Sequence, residues 1–263
     1  MDLGLKDKVA IVGGGSKGLG RACADSLAQE GAKIVICSRN GQELDQAAGE
    51  ISAATGVEVL AVPSDLSKLE DIQTLVKRTV DHFGRLDILV NNSGGPPAGR
   101  AADTTEEVWH QSVEMALMFF IRMSREAVPH MKSGGWGRIV NVLASSVYQP
   151  IENLVTSGVT RMGAVAFAKS LADEVGRDNI LVNNVAPGYL LTDRMMHIFE
   201  VRSENTGANV EDLLQAHSDT IPVGRLGRPE ELGDLVTFLA SEKNSYTTGA
   251  TILVDGGVVR SVM

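Results

Sequence analysis

Short apolar runs rich in β-branched residues alternate along the chain with longer segments of mixed polarity. Most of these runs are almost continuously hydrophobic, which is typical of parallel strands that are buried on both faces of a sheet. The pattern predicts strands at residues 9–12, 33–37, 57–62, 86–90, 138–143, 180–185 and 251–254.

The segments between these runs have the spacing of amphipathic helices. Ile72, Leu75, Val76, Val80 and Phe83 form one apolar stripe, and the polar residues at 103–106 are typical of the start of another helix. Strands that alternate with helices predict βαβ units with right-handed crossovers. We therefore expect an α/β protein whose single domain, residues 1–263, holds a doubly wound sheet of about seven parallel strands with helices on both faces.

One stretch, residues 189–228, interrupts the alternation. It follows the sixth predicted strand and carries methionine, leucine, isoleucine and phenylalanine among its charges. We predict an irregular insertion there, and an insertion at the carboxyl end of a strand is often functional. It is expected to act as a substrate lid within the same domain.

The composition excludes several classes of protein. The net charge of −9 disfavours a surface that binds nucleic acid or anionic lipid. Two cysteines, Cys23 and Cys37, are too few for a zinc site or a disulfide framework, and we expect both to be small buried residues. No signal peptide or membrane span is evident, so we expect a soluble protein of the cytoplasm. We also expect that it binds no metal.

A glycine-rich turn follows the first predicted strand directly. Residues 13–20 read GGGSKGLG and lead into a helical segment. Glycines in this position allow backbone N–H groups to approach a pyrophosphate at the helix N-terminus. The turn therefore predicts a dinucleotide site, the alternative being a glycine-rich turn without a ligand.

Further motifs extend this prediction. The spacing of Gly14, Gly18 and Gly20 resembles the TGxxxGxG motif of short-chain dehydrogenases/reductases, with Gly13 in place of the threonine. Residues 91–94 (NNSG), 187–192 (PGYLLT) and 254–257 (VDGG) resemble the NNAG, PGxxxT and VDGG motifs of the same family. The chain is most similar to the 3-oxoacyl carrier-protein reductase group, which implies a single Rossmann-like domain.

The resemblance also implies a set of cofactor contacts. They are Gly14, Ser16, Lys17, Gly18, Leu19, Gly20, Ser38, Arg39, Asp65, Leu66, Asn92, Ser93, Gly94, Arg161, Pro187, Gly188, Leu190 and Thr192. No carboxylate follows the second strand, where enzymes that use NAD place one. Arg39 and Lys17 instead favour the 2′-phosphate of NADP (NADPH), unless both are ordinary surface cations.

The catalytic pattern of the family is broken. Its Tyr-x-x-x-Lys pair, upstream Ser and helix Asn would fall on Ser157, Arg161, Ala144 and Ala116. The chain has three tyrosines, and none has a lysine four residues later. An arginine stays protonated, and a serine hydroxyl is far less acidic than a phenol, so neither replacement is conservative.

Substitute catalytic groups lie nearby in the sequence. The candidates are Ser145, Ser157, Arg161 and Tyr148, with Ser146 beside them and Asn153 as a further substrate contact. Ser145 and Ser146 could equally be turn residues, and Tyr148 could be a packed loop aromatic. His197 and His217 lie in the expected lid and are more typical of solvated histidines.

Three functions remain open. The first is an NADP(H)-dependent oxidoreductase that interconverts a carbonyl and an alcohol on a small molecule with a non-standard site. The second is a nucleotide-binding pseudoenzyme with a regulatory or binding role. The third is non-redox chemistry in the same cleft, although the halohydrin dehalogenases that resemble this family lose the nucleotide loop, which this chain keeps. The family resemblance also implies a homotetramer.

Overall fold

The computed structural model describes residues 2–262 of the chain. Seven strands are formed by Val9–Gly13 (β1), Lys33–Ser38 (β2), Val59–Pro63 (β3), Ile88–Asn91 (β4), Gly137–Val142 (β5), Ile180–Pro187 (β6) and Thr251–Val254 (β7). They form one parallel sheet in the order β3-β2-β1-β4-β5-β6-β7. The predicted doubly wound sheet is confirmed.

Nine helices in the described residues connect and cover these strands. They are Gly18–Gln29 (α1), Gly41–Thr55 (α2), Leu69–Phe83 (α3), Glu106–Val113 (α4), Phe119–Gly134 (α5), Val155–Val175 (α6), Asp193–Thr206 (α7), Val210–Ser218 (α8) and Pro229–Leu239 (α9). A π-helical turn, Glu114–Met118, joins α4 to α5, and a short 3₁₀ turn, Ser145–Val147, follows β5. The predicted apolar stripe lies on α3, whose Ile72, Leu75 and Val76 are buried.

The core has two layers, one on each side of the sheet. Helices α3, α5 and α6 pack on one face, and α1, α2 and α9 pack on the other. Cys23 and Cys37 lie in these layers as free thiols, and burial raises the pKa of each to about 12. Their predicted role as buried apolar residues is confirmed.

The prediction that residues 189–228 form an irregular insertion is wrong, because they contain the helices α7 and α8. Thr192 and Asn209 begin these helices by accepting backbone N–H groups of Met195 and Glu211. Phe199 is the buried apolar side chain of α7. A helix with so little buried surface leaves a weak periodic signal in the sequence.

A ladder of buried polar side chains crosses the sheet near its carboxyl edge. Asn91 Nδ2 donates to Asn141 Oδ1 at 2.9 Å, and Asn141 Nδ2 donates to Asn184 Oδ1 at 2.8 Å. Asn184 Nδ2 then donates to Thr251 Oγ1 at 3.0 Å. These residues stand side by side on β4, β5, β6 and β7, so the ladder ties together the strands whose ends carry the candidate site.

The Asn141→Ala variant should lose about 2–4 kcal/mol of unfolding free energy, because two buried hydrogen bonds vanish and their partners stay buried. Urea denaturation measures the loss. Asn205→Ala, an exposed position on α7, serves as the control and should change stability by less than about 0.5 kcal/mol. An equally small effect of Asn141→Ala would contradict the role of the ladder.

Candidate functional site

The glycine turn between β1 and α1 has the backbone geometry that a phosphate cradle needs. Gly14 and Gly18 adopt φ values of 61° and 60°, in the left-handed region that favours glycine. A Cβ on Gly20 would lie 2.3 Å from the carbonyl oxygen of Gly14, so α1 starts tightly against the turn. No side chain caps the N-terminus of α1, which leaves its first N–H groups for an anionic ligand.

Gly13 departs from the family motif, and its surroundings explain the departure. A Cβ at this position would lie 2.3 Å from the carbonyl oxygen of Asn92. Asn92 Nδ2 also donates to the Gly13 carbonyl at 3.0 Å. The loop after β4 therefore packs directly against the glycine turn, and a threonine would not fit between them.

The loop after β6 reaches the same turn. A Cβ on Gly18 would lie 3.8 Å from Cγ2 of Thr192, and a Cβ on Gly188 would lie 2.7 Å from that of Asp255. Pro187 is the last residue of β6, and Leu190 is buried against Gly227. The side chain of Leu190 thus points into the protein, so only its backbone remains for a cofactor contact.

The end of β2 carries the groups that we predicted to select the cofactor. The Ser38 hydroxyl donates to the carbonyl of Asn40 at 3.4 Å, and Arg39 is exposed. Lys17 Nζ lies 3.4 Å from Glu43 Oε2, and both side chains are largely exposed. An exposed pair of this kind contributes little to stability, so a phosphate could replace the carboxylate as the partner of Lys17.

The other predicted cofactor residues lie along the same edge. Asp65 accepts hydrogen bonds from the hydroxyl and the backbone N–H of Ser67 at 2.7 and 3.1 Å. The Ser67 hydroxyl is the main cause of the lowered pKa of Asp65. Leu66 packs against the core, and the Ser93 hydroxyl donates to the Met115 carbonyl at 3.2 Å. A Cβ on Gly94 would meet open space, so this glycine borders the cleft.

Ser157 and Arg161 lie one turn apart on α6 and contact each other directly. Arg161 Nη1 donates to Ser157 Oγ at 2.5 Å. Ser157 Oγ lies 3.4 Å from Ser146 Oγ, which comes from the 3₁₀ turn after β5. The structure therefore joins a guanidinium and two hydroxyls into one chain of hydrogen bonds.

Arg161 is buried without a counter-ion. Its exposed fraction is 7 %, and its Nε has no hydrogen-bond partner in the described residues. Burial lowers the pKa of Arg161 to about 10, and the nearby charge of Arg194 lowers this pKa further. At neutral pH the side chain is still a cation, because even the lowered pKa lies well above 7.

Two of the predicted catalytic candidates are not brought to this chain of groups. The hydroxyl of Tyr148 donates to the carbonyl of Thr251 at 2.5 Å, and burial raises the pKa of this tyrosine. Swinging Tyr148 into the cleft would break that bond. Ser145 is buried at the start of the 3₁₀ turn, and its neighbour Ser146 is the residue that contacts Ser157. The positions of Ser145 and Ser146 in the sequence could not show which of the two contacts Ser157.

The remaining positions predicted as replaced also border α6. Ala116 is fully buried in the π-helical turn Glu114–Met118, and π-helical turns are frequent at functional sites. Ala144 directly precedes the 3₁₀ turn of Ser146. Asn153 has a left-handed φ of 58°, and its carbonyl accepts the N–H of Gly99 at 2.8 Å. Asn153 therefore acts as a turn residue, and these backbone contacts do not support its predicted role as a substrate contact.

The helices of residues 189–228 carry the two predicted histidines. His197 is exposed, 3.6 Å from Glu200. His217 is not a solvated histidine, because its ring packs edge-on against Tyr189 at 4.1 Å and against Phe199 at 5.5 Å. Its Nε2 is buried and has no partner among the described residues. This aromatic cluster holds α8 against α7 and the end of β6.

Arg194, the second residue of α7, was not predicted from the sequence as a site residue. Its guanidinium lies beside Gly95, where a Cβ would be 3.4 Å from Arg194 Nη1. Within residues 2–262 it forms no salt bridge. A cation in the first turn of a helix opposes the helix dipole, and this signal could have drawn attention to it.

Comparison with known proteins identifies the class. The family model described as Enoyl-(Acyl carrier protein) reductase matches residues 14–259. The chain belongs to the short-chain dehydrogenase/reductase family, as its fold and its nucleotide turn indicate.

Particular relatives extend over the whole chain. A "Dehydrogenase/reductase SDR family member 4" of Oryctolagus cuniculus is 35% identical over 254 residues, 96% of this chain and 94% of the relative. The 3-oxoacyl-(acyl-carrier-protein) reductase FabG of Aquifex aeolicus is 33% identical over 98% of this chain and 100% of its own. The crystal structure of L-sorbose reductase from Gluconobacter frateurii, complexed with NADPH and L-sorbose, has a TM-score of 0.97 at 34% identity and full coverage of both chains.

Residues 2–262 contain no helix long and apolar enough to cross a membrane. They also contain no group of three or more histidine, cysteine or acidic side chains arranged to hold a metal ion.

The free energy of unfolding should fall as the pH drops through the ordinary histidine pKa of 6.5. Burial, followed by the charge of Arg202, lowers the pKa of His217 in the folded state. The unfolded chain therefore binds more protons at this residue, and acid favours unfolding. Urea denaturation at about pH 7.5 and about pH 5.5 measures the difference. His217→Phe, which keeps a ring against Tyr189, should lose less stability on acidification than the wild type.

His197→Phe is the matched control on α7, and it should keep the acid sensitivity of the wild type. An unchanged pH dependence in His217→Phe would show that His217 does not sense the pH.

Proposed function

We propose that the protein is an NADP(H)-dependent oxidoreductase that interconverts a carbonyl and an alcohol on a small molecule. In this proposal the Arg161–Ser157 pair occupies the position of the family's Lys and Tyr. The observation that carries the proposal is the contact of Arg161 with Ser157 at 2.5 Å on α6, at the edge of the sheet that also carries the nucleotide turn. The NADPH complex of L-sorbose reductase supports the choice of reaction class.

The residues fit a dinucleotide. The turn of Gly14, Gly18 and Gly20 would hold the pyrophosphate at the uncapped N-terminus of α1. Lys17 and Arg39 would hold the 2′-phosphate, since guanidinium and ammonium groups both bind phosphate. Bound NADPH would supply a hydride to the carbonyl carbon.

The chain's own groups act on the oxygen of the substrate. Arg161 donates to Ser157 Oγ, so the serine keeps its own proton for the carbonyl oxygen. As the carbon–oxygen double bond becomes a single bond, the oxygen gains negative charge, which the guanidinium of Arg161 stabilises. The oxygen then takes the proton of Ser157, and water returns a proton to the serine, either directly or through the hydroxyl of Ser146. In the balance, one carbonyl, one hydride and one proton give one alcohol.

A serine is a weaker acid than a tyrosine. A positioned general acid contributes about 10²–10⁴-fold to a rate, so this site should work more slowly than one with the family's Tyr-Lys pair. The difference corresponds to about 3–5 kcal/mol of activation free energy. The buried cation recovers part of this loss by stabilising the developing oxyanion.

A nucleotide-binding role without turnover is the second candidate. It is favoured by the hydrogen bond from the Tyr148 hydroxyl to the Thr251 carbonyl, because this bond keeps the phenol away from Ser157 and Arg161. NADPH deuterated at C4 distinguishes the two functions. Deuterium on the carbon of a product alcohol supports the oxidoreductase, and its absence across a panel of ketones and ketoses contradicts it. Non-redox chemistry in the same cleft has no observation in its favour.

The lid role of residues 189–228, the homotetramer and the cytoplasmic location remain predictions. Val159 and Met162, with exposed fractions of 57 % and 49 %, form an apolar patch on α6. Such a patch is compatible with a subunit contact through this helix.

The protein should bind NADP(H) about tenfold or more tightly than NAD(H), which corresponds to about 1.4 kcal/mol. Lys17 and Arg39 supply two cations for the 2′-phosphate, and the end of β2 carries no carboxylate that would bind the 2′-hydroxyl of NAD(H). Fluorescence titration with NADPH and NADH measures both affinities, and Arg39→Asp should reverse the preference. Arg78→Asp, the same change at an exposed position on α3, is the control. Equal affinities in the unmodified protein would refute the cofactor assignment.

Removing either member of the catalytic pair should slow hydride transfer. Ser157→Ala and Arg161→Ala are each expected to lower the single-turnover rate of NADPH oxidation by about 10²-fold or more. The assay uses the ketone that the unmodified protein reduces fastest. Ser170→Ala, on the exposed side of α6, should leave the rate unchanged. If Arg161→Ala folds normally and keeps the full rate, Arg161 has no catalytic role.

A further inference from the structure

The charge of Arg161 has no counterpart inside the protein. Its recorded hydrogen bond within residues 2–262 goes to a neutral serine, and no carboxylate forms a salt bridge with it. Its Nε is fully buried and unpartnered. A buried cation without a partner is costly, and proteins normally pair such a group or leave it for a ligand. Nη2 of Arg161 has no hydrogen bond within residues 2–262 and is not among their fully buried unpartnered atoms, so it is the group open to an anion.

Arg194 brings a second cation towards the same place. It lies on the first turn of α7, against Gly95 in the loop after β4. Its charge acts on Arg161 strongly enough to lower the pKa of that residue, after the larger effect of burial. The loop that Arg194 contacts at Gly95 also reaches α6, because Thr156 Oγ1 donates to the carbonyl of Pro97 at 2.7 Å. Arg194 therefore lies near the start of the helix that carries Arg161.

Within residues 2–262, no carboxylate forms a salt bridge with either member of this pair. Asp193 precedes Arg194 but forms no salt bridge with it in residues 2–262. The repulsion between the two cations, and the unfavourable position of Arg194 at the positive end of α7, both disappear when an anion binds between them. A glycine at position 95 leaves room for Arg194 to reach such an anion.

We propose that the substrate is an oxo acid, or the corresponding hydroxy acid, whose carboxylate binds between Arg161 and Arg194. This inference rests on the proposed function and adds the substrate class to it. Arg161 then has two tasks, because its Nη1 serves the reacting oxygen through Ser157 while its Nη2 is open to the carboxylate. Arginine suits this task, since its fork of donors matches the two oxygens of a carboxylate.

A phosphate of the cofactor is the other anion that could reach Arg194. Thr192, two residues earlier, lies near the glycine turn, since a Cβ on Gly18 would be 3.8 Å from its Cγ2. The two sources differ in what they predict. If Arg194 held the cofactor, its removal would weaken the binding of NADP⁺ itself, whereas a substrate role leaves that affinity unchanged.

Calorimetry on the complex with NADP⁺ tests the proposal without turnover. The probes are pyruvate, acetoacetate and levulinate, each with its methyl ester, so that every pair differs only in the negative charge. At least one acid is expected to bind about tenfold more tightly than its ester. Arg194→Gln should remove this gain, Arg194→Lys should keep part of it, and both should bind NADP⁺ like the unmodified protein.

Arg202→Gln is the matched control, because it removes the same charge from the same helix. It should leave the affinities for the acids and for NADP⁺ within about twofold of the unmodified protein. The proposal is overturned if no acid binds more tightly than its ester, or if Arg194→Gln weakens the binding of NADP⁺ instead.

Failure of this inference differs from failure of the proposed function. Tight binding of an acid without deuterium transfer would support the anion site and contradict the oxidoreductase function. Deuterium transfer to esters as readily as to acids would support the oxidoreductase function and contradict an oxo acid as the substrate.

Discussion

The guanidinium of Arg161 is a buried charge that has no salt-bridge partner among residues 2–262. Burial of a cation in a medium of low polarity is unfavourable, and the structure offsets it with a single hydrogen bond to Ser157. Such an arrangement is stable only when the rest of the fold holds the helix in place. It is useful when a ligand with negative charge, or an oxygen that gains it during a reaction, completes the site.

The fold provides that support from several directions. The amide ladder of Asn91, Asn141 and Asn184 fixes the strands whose ends form the cleft. Because these bonds are buried and directional, they resist sliding of one strand against the next. On the opposite side of the cleft, the close approach of Gly13 and Asn92 fixes the glycine turn. The two halves of the site are thus built on the rigid sheet, at the carboxyl ends of its strands, where ligands of open parallel sheets bind.

Much of this architecture could be predicted from the sequence. Continuous β-branched runs define the strands because both faces of a parallel strand are buried. The glycine turn was recognisable because its spacing follows from backbone geometry. The start of β3 at Val59 and the end of β4 at Asn91 differ from the predicted bounds by one or two residues, as strand ends depend on pairing with neighbours.

The rest of the site depends on contacts between distant residues. The packing of Tyr148 against Thr251, the choice of Ser146 over Ser145 and the position of Arg194 near Arg161 are all tertiary. The helices α7 and α8 escaped prediction for a related reason, because few of their side chains enter the core. A sequence pattern reports burial and local conformation, and it carries little information about which side chains meet in a cleft.

The central claim is that Arg161 faces the bound ligands, and NMR of the arginine Nε–H groups tests it most directly. Protein labelled with ¹⁵N at arginine is recorded alone, with NADP⁺, and with NADP⁺ and acetoacetate, and Arg161→Lys assigns the signal. The Arg161 Nε–H signal is expected to move when the ligands bind, because an anion beside the guanidinium changes the electrostatic environment of its buried Nε–H group. A signal that stays unchanged with both ligands at saturation would contradict the account.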